Sequence, residues 1–153
     1  FGVVQSFRSV HTYVFIDGIT EISKALKNLK FNNINKILTN WNDYVQVDGH
    51  SDYEKSFSDL LEEKIINNSS FNTLIVIGDA RNNYRPINNE TVDKLSKKFQ
   101  NIYWMNPERS QYWNTGDSQF HHYQSISKKY SEVRNFEQLK TFINSINFKK
   151  VIK

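Results

Sequence analysis

No cysteine occurs among the 153 residues, which removes disulfides, thiolate zinc sites and cysteine nucleophiles at once. Proline and glycine are also scarce, at 2 and 5, too few for a flexible linker or a glycine-repeat array. Long apolar runs are missing as well. The longest, LIVI at 74–77, is far short of the ~20 residues of a membrane-spanning helix, so no membrane partner is expected. Among motifs, there is no Gly-x-Ser-x-Gly elbow, no Walker-type glycine loop and no Gly-x-Gly-x-x-Gly, so serine-hydrolase, nucleotide-phosphate and dinucleotide readings lack their anchors. The charge excess is small, +4 from 20 basic against 16 acidic residues, and is scattered along the chain. Nucleic-acid binding leaves a clustered basic footprint, so no nucleic-acid partner is expected.

What is present is apolar and aromatic content enough for an ordered core: 38% hydrophobic residues, 14% aromatic. The length fits one domain over 1–153. HTYVFID at 11–17 is dense in β-branched and aromatic residues and stops at the turn pair Asp17-Gly18, which predicts a buried strand. Residues 19–22 predict a short edge strand, 23–30 and 33–39 short helices, and 40–50 a loop. From Ser51 the period becomes helical. Tyr53, Phe57, Leu60, Leu61, Lys64 and Ile65 recur every three or four positions, with Ser51 as N-cap and an end near Asn67.

A strand follows over 73–78, then a helix over 89–99 with Val92, Leu95 and Phe99 on one stripe, then a strand over 101–105. Residues 117–128 read as partly helical, 131–134 as a last short strand, and Phe136, Leu139, Phe142, Ile143 and Ile146 as the apolar face of a closing helix. Strands this apolar, alternating with helices, predict an α/β doubly wound, mostly parallel sheet flanked by helices. Such sheets bind ligands beyond the carboxyl ends of their strands. That places Asp79, in TLIVIGDARNNYRP at 73–86, on the favoured edge, along with the loops after Asp17 and Met105. Aspartate also caps turns in such loops, and the residues alone leave both roles open.

Three stretches carry a family resemblance. IYWMNPERSQYWNTGDSQFHHY at 102–123 resembles the von Willebrand factor type A domains of the CoxE-like family, with their strand ending in Trp-Leu-Asn-Pro-Glu, a following Trp and a Gly-Asp-Ser. SEVRNFEQLKTFINSI at 131–146 is similar to that family's last strand and helix, and FRSVHTYVFIDGITEIS at 7–23 to its second and third strands. The resemblance implies a Rossmann-like fold with a metal-ion-dependent adhesion site. Asp79 matches the aspartate after the fourth strand, and Ser51 of DGHSD at 48–52 stands where the family has a loop threonine. The ion implied is Mg²⁺ or Mn²⁺, bound by hard oxygens with a position left for a partner's carboxylate.

The family's Asp-x-Ser-x-Ser is not in this chain, and the usual Ser-Asp-Gly around the last ligand reads Gly78-Asp79-Ala80. The expectation is therefore the carboxy-terminal portion of a von Willebrand A domain, lacking its first strand and holding an incomplete ligand set. Arg81, Arg85 and Trp113 flank the edge and are candidates for partner binding. Adjacent His121 and His122 lack metal-ligand spacing. The implied role is a non-enzymatic, cytoplasmic interaction module working beside a MoxR-type AAA+ ATPase or its client. Two other readings stand beside it: a metal-dependent hydrolase or phosphoryl-transfer enzyme using Asp79, and a metal-free scaffold.

Overall fold

The computed structural model describes residues 9–27, 49–64 and 72–146. The helix expected over 33–39, the loop over 40–48, the opening residues 1–8 and the vicinity of Asn67 lie outside these segments. In chain order the elements are β1 (Tyr13–Phe15), β2 (Ile19–Glu21), α1 (Ser23–Lys27), α2 (Tyr53–Glu62), β3 (Thr73–Ile77), α3 (Asn89–Lys98), β4 (Asn101–Asn106), α4 (Phe120–Gln124), β5 (Lys129–Glu132) and α5 (Phe136–Ser145). A single 3₁₀ turn, Ser110–Tyr112, follows β4.

Strands β3, β4 and β5 form a parallel sheet in that spatial order, in register from Thr73 opposite Asn101 and Tyr103 opposite Lys129. Parallel neighbours cannot be joined by a tight hairpin, and here each crossover carries a helix, α3 and then α4. Central β4 is buried along its whole length. Its side chains alternate between faces, as the period of two requires. Ile102 and Trp104 enter a large cluster with Tyr53, Phe57 and Leu60 of α2, Val92 and Leu95 of α3, and Phe120 and Tyr123 of α4. Tyr103 and Met105 enter a smaller cluster on the other face with Phe142 of α5 and Ile146. The sheet is thus covered on both faces, a von Willebrand A/Rossmann-like α/β arrangement.

The large cluster is built around Trp104. Its ring stacks on Tyr123 with centroids 4.9 Å apart and meets Phe120 edge-on at 5.6 Å. Each such pair contributes about 0.5–1.5 kcal/mol beyond the area it buries. The indole N–H does not go unpaired: it donates to the Gly78 carbonyl at 2.7 Å. The ring that holds the core together therefore also fixes the end of β3.

Several boundaries differ from the pattern-based expectation. The buried strand expected over 11–17 is a three-residue, half-buried strand, β1, paired antiparallel with β2 in a separate sheet. Its aromatic content serves a side contact, Phe15 edge-on to Tyr53 at 5.1 Å. Helix α2 ends at Glu62 instead of near Asn67, and Lys64, expected on its stripe, is exposed beyond it. Its N-cap is Asp52, not Ser51: the Asp52 carboxylate accepts from the Lys55 N–H at 2.9 Å. The last strand runs 129–132, two residues earlier than expected, because its hydrogen-bond register to β4 begins at Lys129. Phe136 is 74% exposed, since the stripe of α5 that meets the sheet starts one turn later at Leu139. Ile77, the last of the aliphatic run in β3, is 63% exposed at the strand's carboxyl end.

Candidate functional site

The carboxyl edge of the sheet is organised around a phenol. The Gly78 N–H donates to the Met105 carbonyl at 3.1 Å, so β3 stays tied to β4 one residue past its formal end. Over Gly78 lies the Tyr53 hydroxyl, and a Cβ on residue 78 would collide with it. Glycine is required there by close approach. The chain then turns through Ala80, fully buried at φ +61°, a left-handed conformation costly for a residue with a Cβ.

Tyr53 stabilises this turn from beneath. Its hydroxyl accepts from the Ala80 N–H at 3.0 Å and donates to Asp79 Oδ1 at 3.2 Å. The same carboxylate oxygen accepts from the Arg81 N–H at 3.0 Å, closing an Asx-type turn. Burial, with the Asp79 carboxylate beside it, pushes the Tyr53 phenol far above its ordinary range, so it remains a neutral hydrogen-bonding group at any physiological pH. The Asp79 main-chain carbonyl is approached by Ser118 Oγ at 3.4 Å and Asn106 Nδ2 at 3.5 Å.

Asn82, fully buried, joins this loop to the start of α2. Its Oδ1 accepts from the Tyr53 N–H at 2.7 Å and its Nδ2 donates to the Arg85 carbonyl at 2.9 Å. Asn83 Nδ2 donates to the Ser51 carbonyl at 3.0 Å. The structure thus brings Ser51 and Asp79, 28 positions apart in the sequence, to one edge through Tyr53, Asn82 and Asn83. The β1–β2 turn is attached to the same place, since the Asp52 N–H donates to the Ile16 carbonyl at 2.6 Å.

Both flanking arginines are engaged. Arg81 donates to Glu108 Oε1 at 2.6 Å and to Asp117 Oδ1 at 2.8 Å, linking the loops after β3 and β4. Bonds to Glu108, then to Asp117, hold its guanidinium charged more firmly than usual. Partial burial works to raise the Asp117 carboxyl, but the Arg81 guanidinium and the Asn83 N–H outweigh it and its pKa is lowered. Arg85 pairs with Asp52. Trp113 is half-buried, donating its indole N–H to the Glu108 carbonyl at 3.0 Å with its ring edge-on to Phe120 at 4.8 Å. Of the four carboxylates of these loops and the α2 cap, Asp52, Glu108 and Asp117 sit in ion pairs. Asp79 is held by neutral donors instead.

As a cation shell these residues are incomplete. The Ser51 hydroxyl and Asp79 offer two oxygen-bearing groups where Mg²⁺ takes about six ligands. Among the described residues, no group of three or more His, Asp or Glu converges. Among the described carboxylates beside Asp79, those of Asp52, Glu108 and Asp117 are each paired with arginine. His121 and His122 lie ring to ring, with centroids 4.0 Å apart, on the short α4. Burial first, and His121 second, lower the His122 pKa.

The residues that sequence reasoning missed are the ones that position the edge: Tyr53, Asn82, Glu108 and Asp117. Tyr53 was readable only as part of an apolar helix stripe. Asn82 is one asparagine among several in a polar loop, and nothing local distinguishes a fully buried one.

A family model described as VWA domain containing CoxE-like protein matches residues 1–142. No curated protein and no solved structure matches the chain.

Proposed function

The chain belongs to the CoxE-like family of von Willebrand A domains, and we propose that it is a protein-interaction module whose partner-facing surface is the carboxyl edge of the sheet around Ser51 and Asp79. One observation carries this reading: at an edge where Asp52, Glu108 and Asp117 are balanced by arginine, Asp79 is positioned by neutral donors and has no cationic partner among the described residues. A carboxylate held this way is free to take part in a contact with something outside the fold. Arg85, with its side chain 48% exposed, and Trp113 border the same surface.

Recognition through a divalent ion extends this proposal. Mg²⁺ or Mn²⁺ would take Ser51 and Asp79 as ligands and would need further oxygens from water and from segments other than those described. The proposed partner is a MoxR-type AAA+ ATPase or its client, in a cytoplasmic setting. Among the described residues no helix is long and apolar enough to cross a membrane.

The experiment is calorimetry and surface binding of the purified chain, and of a version extended upstream, with a purified MoxR-type ATPase in Mg²⁺ and in EDTA. The expected result is binding that Asp79→Ala weakens, with a Mg²⁺ heat that the mutant loses. Equal Mg²⁺ heats in wild type and mutant would remove the ion from the mechanism. Absence of binding in every condition would remove the ATPase as partner.

A further inference from the structure

The polar loop beyond Asp79 carries an aromatic side chain where the backbone least favours one. The Arg85 N–H donates to the Asn82 carbonyl at 2.9 Å, closing a four-residue turn, and both central residues have positive φ: Asn83 at +50° and Tyr84 at +58°. Two left-handed central residues mark a type I′ turn, whose second central position is normally glycine because no Cβ is strained there. Here that position holds Tyr84, which is 81% exposed. Its ring contributes nothing to the core that would offset the strain.

Everything around Tyr84 is fixed. The Asn82 N–H donates to the Asp117 carbonyl at 3.1 Å, its side chain bridges Tyr53 and Arg85, and the Asn83 N–H donates to Asp117 Oδ2 at 3.1 Å. Asn83 Nδ2 bonds the Ser51 carbonyl. A strained conformation locked by its neighbours and ending in a solvent-facing tyrosine is the arrangement of an interface anchor: large contact area, two side-chain torsions to freeze, and no backbone ordering left to do.

Building on the interaction reading above, we propose that Tyr84 is the anchor of this edge. Its ring packs against aliphatic side chains of an exposed segment of a partner protein, and an acidic side chain beside them meets Arg85. The partner chemistry follows from what adjoins the ring. Arg85 is the next residue and its side chain stays half exposed after pairing with Asp52, so an acidic side chain in that segment is complementary to it.

The test uses the purified chain against a phage library of random dodecapeptides, followed by affinity measurements on the enriched peptides after synthesis. The expected peptides combine aliphatic residues with at least one carboxylate. Tyr84→Gly and Tyr84→Ala should weaken them by roughly 30-fold, Tyr84→Phe by far less, and Arg85→Ala by an intermediate factor. Tyr84→Gly should melt no lower than wild type, since glycine relieves the left-handed backbone, which separates loss of contact from loss of fold. Peptides that bind all variants equally would overturn the anchor while leaving an interaction module standing. A library that enriches nothing would count against both. A wild-type dimer that Tyr84→Gly converts to monomer would assign the tip to a second copy and overturn the partner proposed.

Discussion

Tyr53 and Tyr84 belong to the same edge of the sheet, Tyr53 bonded to Asn82 and Tyr84 in the turn that Asn82 closes with Arg85, yet one is 3% exposed and the other 81%. Tyr53 lies in the floor, its ring among Phe15, Phe57 and Trp104 and its hydroxyl tied to the Asp79 turn. Tyr84 is the rim, with a ring that faces solvent and a backbone under strain. The difference separates two tasks that a loop must perform to recognise anything. The floor spends packing and hydrogen bonds on holding a geometry, and the rim presents a group that the geometry has positioned. Stability should therefore respond to the first tyrosine and binding to the second.

The contrast breaks most visibly at the floor. Tyr53→Ala removes an aromatic ring from the centre of the larger core and leaves the Ala80 N–H without its acceptor, so denaturant unfolding should show a loss of about 4 kcal/mol. Asn82→Ala should follow at about 2 kcal/mol, because it strands the Tyr53 N–H and the Arg85 carbonyl, both paired through one buried amide. If Asn82→Ala cost no more than an exposed substitution, the loop would not depend on its floor.

A smaller effect comes from pH. Asp117 has a pKa below its ordinary value of 3.8, so its stabilisation is fully present above that pH and is lost as pH falls through the lower, folded value. Glu132, drawn down to about 2 by the Ser110 N–H and then Arg134, changes in the same direction. Stability should fall below pH ~4, and Asp117→Asn should remove part of that slope while leaving the part from Glu132. A slope unchanged in Asp117→Asn would mean that the pair with Arg81 contributes nothing. The smallest effect is predicted at the rim, where Tyr84→Ala should alter unfolding free energy by no more than about 0.5 kcal/mol.

The layered fold was legible because its signals are redundant over many residues. Strand β4 reads as apolar between its two terminal asparagines and is buried throughout, and the Val92, Leu95, Phe99 stripe of α3 faces the core as its spacing requires. What failed were short elements and ends. The segment 11–17 has strand composition, but composition does not distinguish a sheet centre from a half-buried hairpin arm. Ser51 and Asp52 are both good caps, and only the backbone decides between them. At the site, the resemblance picked out Asp79 and Ser51, which the structure brings to one edge. It could not reveal Asn82 or the Arg81–Glu108–Asp117 link, since those depend on pairings 27 to 36 positions apart. Tyr84 was invisible for another reason: a tyrosine in a sequence carries no mark of a left-handed backbone.

The most direct test is hydrogen–deuterium exchange of the chain alone and in the presence of the proposed partner, a purified MoxR-type ATPase. The account predicts new protection concentrated in peptides spanning 79–85 and 113–118, with little change in β4 or α5, and its loss in Tyr84→Gly. Protection confined to the opposite end of the sheet, or unchanged by that substitution, would contradict it.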